Sequence, residues 1–118
     1  MADTPTPEDS ILVSVKKLLG IAKDDLSFDQ DIILYTNTVL ANLSQLGVGD
    51  GSGIQIKGYS EGWSSIVKDN VNLNLIQTYV CLKVRVLFDP PSSQTVMSAI
   101  QANIKEYEYR IYTQVGQY

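Results

Sequence analysis

The chain has 118 residues, with 13 acidic against 9 basic side chains, a net charge of -4 and a pI near 4.6. It contains no histidine and one cysteine, Cys81, which excludes Ser-His-Asp and Cys-His catalysis, a Cys/His zinc site and any internal disulfide. This size fits one domain over 1–118 with one core, the 44% apolar content is that of a folded protein, and the acidic balance lacks the basic surface of a general nucleic-acid binder.

Residues 1–6 read as a flexible tail, polar and acidic, the reverse of a signal peptide. No apolar run approaches the ~20 residues of a membrane helix, so no membrane partner is expected and the chain is expected to stay in the cell that makes it. Asn42-Leu43-Ser44 matches the glycosylation triplet by chance. Thr6-Pro7-Glu8-Asp9 has the pattern of a helix start, with Thr6 as N-cap and Pro7 at the first helical position. Ile11, Leu12, Val15, Leu18 and Leu19 follow at helical spacing up to Gly20, which predicts a first helix over about 7–19.

Ser27-Phe28-Asp29-Gln30 has the form of a capping box and opens a second, long helix over about 28–46. Its stripe is Phe28, Ile32, Val39, Leu43 and Leu46, widened by Ile33, Thr36 and Leu40, which makes it the expected centre of the core. Six glycines then break residues 47–62, where Ile54-Gln55-Ile56 alternates as a short strand does. So long a loop in a small helical domain is more often functional than not. Trp63, Ile66 and Val67 are expected to form a helical turn that pins its end to the body.

A third helix over about 71–88 carries Leu73, Ile76, Val80, Val84 and Leu87 on one face, and Asp89-Pro90-Pro91 stops it. Ser92 or Ser93 caps the last helix, whose stripe is Met97, Ile100, Ile104, Tyr107, Ile111 and Val115, with residues 113–118 as an end that can be flexible. The expected fold is all-α: four principal helices packed around the long second one, with a Gly-rich loop or short β excursion at about 47–62.

Several constellations resolve into structural roles. Asp24, Asp25, Asp29 and Asp31 fail the EF-hand pattern, because the positions that need a glycine and a glutamate hold Leu34 and Leu40; Asp29 and Asp31 instead suit the positive end of the second helix. Gly47-Val48-Gly49-Asp50-Gly51 follows a helix rather than a strand and lacks the Gly-Lys-Ser/Thr of a phosphate loop, so a loop that orders against a partner is the better reading. Cys81 reads as a small buried hydrophobe, and Glu106 with Arg110 as a weak surface pair. No catalytic, metal or cofactor set is expected. Tyr109 and Tyr112 lie off the apolar stripe of the last helix, where exposed aromatics mark an interface.

Lys17-Leu18-Leu19-Gly20-Ile21, Phe28-Asp29-Gln30-Asp31-Ile32, Asn37, Gln45-Leu46-Gly47-Val48-Gly49, Trp63, the run from Tyr79 to Leu87, and Phe88-Asp89-Pro90-Pro91 occur in an order that resembles the head–tail connector (head-completion, adaptor) proteins of long-tailed bacteriophages and prophages. The resemblance covers about residues 11–112. It implies a non-catalytic virion-assembly subunit, in the host cytoplasm until it joins the head–tail junction. There it forms a ring, twelve-fold in the family, under the portal protein, extends the DNA channel and docks the next connector or tail-completion protein. It further implies that the 47–62 loop faces channel or neighbour, through Gly49, Asp50, Gly51, Ser52, Gly53, Gln55 and Lys57, and that Tyr109 and Tyr112 dock toward the portal. An acidic wall suits duplex DNA that passes without tight binding. A small helical adaptor or regulator with a cellular protein partner stands as the alternative, and an enzyme using carboxylates or a metal has no supporting motif.

The acidity is uneven. Residues 1–31 hold seven acids and three bases, a charge of -4, and residues 32–118 hold six of each, a charge of zero.

Overall fold

Serine hydroxyls cap the first and last helices, positive-φ glycines follow the first two, and a double proline follows the third. The computed structural model describes residues 10–48, 55–65 and 73–115. The described residues form four α-helices: α1 (Ile11–Leu19), α2 (Asp29–Gln45), α3 (Leu73–Phe88) and α4 (Gln94–Val115). A 3-10 turn, Trp63–Ser65, lies between α2 and α3. The fold is all-α.

α1 begins later than the sequence predicts. Ser10 is extended, with φ -54° and ψ 127°, and its hydroxyl accepts from the Val13 amide at 3.4 Å. The backbone of Ser10 forms a bridge with Gly62, and the Ile11 amide donates to the Glu61 carbonyl at 3.0 Å. A tertiary contact thus sets the helix start; the predicted Thr6 cap lies outside the described residues. Gly20 ends α1 as expected, in the left-handed region at φ 78°, where a side chain is strained.

The predicted capping box of α2 does not form. Asp25, two residues upstream, takes both the amide and the hydroxyl of Ser27, which leaves Phe28 at the cap position with no side-chain cap bond. Asp29 and Asp31 do occupy the first turn, where their charge suits the helix end. At the other end Gly47 has φ 102°, and a β-carbon there would sit 2.6 Å from Val115 Cγ1 at the end of α4. Both backbone and packing therefore require glycine at this position.

α3 stops at Asp89-Pro90-Pro91 as predicted, and the Ser93 hydroxyl caps α4 by accepting from the Val96 amide at 3.2 Å. α2 packs on α3, α3 packs on α4, and α1 lies against both α2 and α3. α2 buries Ile32, Thr36, Val39, Leu40 and Leu43, and α3 shares the centre with it because it touches all three other helices. For that reason Tyr79 and Cys81 are buried beside Ile76, Val80 and Val84, while Leu73 and Leu87, on the expected face but at the helix ends, remain exposed. Phe28, also expected in the core, stays half exposed and meets Phe88 edge-on with ring centroids 5.5 Å apart. α4 buries only Ile100, Ile104 and Ile111 along its narrow stripe, since α3 is its main support.

Trp63, the only tryptophan, is fully buried, and its indole N–H donates to Ser14 Oγ at 3.0 Å. The predicted turn is therefore present at Trp63, while Ile66 and Val67 lie outside the described residues. Trp63→Ala should lower the unfolding free energy by about 3–5 kcal/mol, as large aromatic truncations in cores do, measured by urea denaturation followed by circular dichroism. A loss below about 1 kcal/mol would mean that this turn does not pin the body.

Candidate interaction surfaces

The chain returns from the glycine-rich stretch as a strap that runs along α1 in the opposite sense. Ile56 is buried and is held by one side chain of α2: its amide donates to Asn37 Oδ1 at 2.7 Å, and Asn37 Nδ2 donates to its carbonyl at 3.0 Å. Tyr59 then reaches Lys16 near the end of α1, and Trp63 reaches Ser14 near its start. Glu61 closes the turn between them, accepting from the Lys57 amide at 2.9 Å and the Gly58 amide at 3.4 Å. The predicted strand at 54–56 is thus absent from its described part. The alternation of Gln55, Ile56 and Lys57 is real, with Ile56 inward and its neighbours exposed, but the Asn37 amide supplies the backbone bonds that a second strand would.

The strap is anchored on a buried charge. Lys16 is 1% exposed, on the face of α1 that also carries Leu12 and Val15. Four oxygens surround its three N–H donors: Asp25 O at 2.7 Å, Tyr59 Oη at 2.7 Å, Asp29 Oδ1 at 2.8 Å and Lys23 O at 3.2 Å. Tyr59 in turn donates to Asp29 Oδ2 at 2.6 Å. Burial works against the Lys16 ammonium, yet the bonds to Asp29 and Tyr59 outweigh it and hold its pKa above 10.5. Burial, and then the Asp29 carboxylate, raise the Tyr59 phenol, so it keeps the proton it donates. One ammonium thereby ties together α1, the 20–28 turn, the first turn of α2 and the strap.

A second surface lies on α4. Tyr109 and Tyr112 are 69% and 62% exposed, while Tyr107 is half buried on the stripe. On the same side of the helix, Ser98, Ala102 and Lys105 line one wall of a groove of about 720 Å³ whose other walls come from α2 and α3. In its lining, Glu108 accepts from Tyr79 Oη at 2.8 Å through Oε2, and Lys83 pairs with the same carboxylate at 3.4 Å. Burial and the Glu108 carboxylate push the Tyr79 phenol well above its ordinary value, so it remains a donor. Arg110 and Glu106 form the expected exposed pair.

Of the residues singled out in the sequence, Gln55 and Lys57 are exposed on the strap, and Tyr109 and Tyr112 are exposed on α4. The structure does not bring the two pairs together: the strap lies on α1 and α2, whereas α4 lies on α3. Gly49, Asp50, Gly51, Ser52 and Gly53 lie outside the described residues. Cys81 is buried, which pushes its thiol up to about 12, as suits a small hydrophobe. Among the described residues no group of three or more acidic or cysteine side chains is placed to hold a metal ion.

The sequence model of the phage connector protein family matches residues 11–117, nearly the whole chain. The chain belongs to that family. It is a structural family rather than an enzymatic one, and a connector is a component of the virion that contacts other virion parts. A search of curated proteins and of solved structures returns no significant match. In the described part of this connector no helix is long and apolar enough to cross a membrane.

Lys16, Tyr59 and Glu61 are the residues of this connector that the sequence reading passed over, and Asn37 entered it only as part of the resemblance, with no contact assigned. Lys16 had a visible signal: it stands four residues after Leu12 and three before Leu19, on the apolar face. Asp29→Ala should cost about 3–5 kcal/mol, because it leaves a buried ammonium without its countercharge, whereas Tyr59→Phe should cost about 1 kcal/mol. Since the folded-state pKa of Lys16 is raised, its contribution is complete below 10.5 and is lost as pH rises through the folded value. Urea midpoints of the wild type should therefore fall above pH 10.5 through this group, and those of Lys16→Met should lack that component. Equal alkaline profiles for the two proteins would contradict the assignment.

Proposed function

We propose that this connector is a ring-forming subunit at the head–tail junction, sitting beneath the portal protein, extending the DNA channel and docking the next connector or tail-completion protein. In this reading the chain acts as one helical unit. The observation that carries it is the pair of tyrosines, more than three-fifths exposed on the outer face of α4, in a chain whose family joins virion parts. Tyrosine supplies a large, stiff apolar contact at low entropic cost and is concentrated at the energetic centres of interfaces. The Tyr109–Tyr112 face is assigned to the portal, and the stretch from Gly49 to Lys57 to the channel or to a neighbouring subunit.

Charge supports the channel role. Residues 47–62 hold two acids, Asp50 and Glu61, and one base, Lys57, a net charge of -1. Such a wall releases few counterions from DNA and so does not hold it, which suits a duplex that must slide.

Two experiments test the two halves of the reading. Tyr109→Ser with Tyr112→Ser should leave the far-ultraviolet spectrum unchanged, since both rings are exposed, and should weaken incorporation into particles roughly 30-fold, the effect of losing about 2 kcal/mol at an interface centre. Unchanged incorporation would remove the docking role. Titration of the assembled ring with duplex DNA at low salt should show no tight binding, and submicromolar affinity there would contradict the passive wall.

A further inference from the structure

The groove between α2, α3 and α4 is lined by the apolar side chains of Val86, Leu87, Ala102 and Ile104, together with Lys83 and Lys105. Lys83 is spent on Glu108, but Lys105 is exposed and forms no ion pair among the described residues. The groove therefore offers an apolar lining with one uncompensated positive charge. Its occupant must bring a protruding apolar side chain beside a carboxylate that its own fold has not already engaged.

Leu26 meets that description. It is 63% exposed on the turn between α1 and α2, and Leu18, in the last turn of α1, is exposed as well. Two residues before Leu26 stands Asp24, exposed and without an ion pair among the described residues, whereas Asp25 is bound to Ser27 and Asp29 to Lys16. Phe28 is already packed edge-on against Phe88, and Leu87 lines the groove itself. Leu34 sits one turn from Thr38, which lines the groove itself, and Val96 has no acidic residue near it in the sequence. The corner also belongs to the acidic part of the chain, residues 1–31 with seven acids and three bases, and the groove to the neutral remainder.

The corner cannot fill the groove of its own chain. Lys16 clamps it to the α1 side of the molecule by bonds to Lys23, Asp25 and Asp29, whereas the groove opens between α2 and α4. We infer that the Asp24–Leu26 corner of one connector subunit seats in the α2–α3–α4 groove of the next, with Leu26 on the apolar lining and Asp24 facing Lys105. The two surfaces differ, so the contact is head-to-tail, the kind that closes into rings. This deepens the ring reading and rests on it.

Cross-linking in assembled particles tests the contact. Full-length chain carrying both Leu26→Cys and Ala102→Cys should give, on oxidation and non-reducing electrophoresis, a ladder of multimers, while either substitution alone gives none; buried Cys81 stays silent. Rings visible by electron microscopy without a ladder would overturn the contact and leave the ring intact. A product that stops at dimer, or a cross-link to another virion protein, would also overturn it, and the absence of any ring would remove both readings. Charge reversal supplies a second readout. Lys105→Glu or Asp24→Lys alone should lower incorporation about tenfold, since each places like charges together, and the double variant should restore it. Failure of the double variant to recover would count against the Asp24–Lys105 pair.

Discussion

An ammonium group taken out of water has to be surrounded by oxygens or it unfolds the chain that holds it. In this connector that requirement falls on Lys16, and the way it is met organises much of the molecule. Its acceptors come from the 20–28 turn, from the first turn of α2 and from the strap, so no one of these segments can move without exposing or starving the charge. The Lys16–Asp29–Tyr59 cluster fixes the strap's register, and Asn37 on Ile56 and Trp63 on Ser14 fix its two ends.

That anchoring separates the buried contacts that hold the fold from the surfaces that remain exposed. Val48, buried at the end of α2, and Ile56, held by Asn37, are two fixed footings for the glycine-rich stretch between them. α4 is fixed differently, by a narrow isoleucine stripe on α3, which leaves the opposite face of a 22-residue helix to carry Tyr109, Tyr112 and the wall of the groove. A connector contacts other parts of the virion. Here the strap, held on α1 and α2, and α4, held on α3, are separate surfaces joined through the packing of α2 on α3.

Much of this was legible in the sequence where a local rule had no competitor. Gly20, the Pro90-Pro91 stop and Ile100, Ile104 and Ile111 of the α4 stripe act through backbone angles or helical period alone, and they appear where predicted. The misses occur where a nearby group competes for the same atom. Ser27 looked like a cap until Asp25 captured its hydroxyl, and the Ile54–Ile56 alternation reports which side faces inward without saying what satisfies the backbone. The exposed tyrosines were readable from helical angle, whereas the groove was not, because it needs three helices in place. The Lys16 cluster joins residues 43 apart in sequence, and no periodicity encodes that pairing.

The most direct measurement of the central claim is electron cryomicroscopy of the head–tail junction in particles that contain this chain. The account predicts a closed ring of copies between portal and tail, with the Tyr109–Tyr112 face toward the portal and the end of the strap at Gln55 toward the central channel. Density that places the chain elsewhere in the virion, or complete particles whose junction lacks it, would contradict the account.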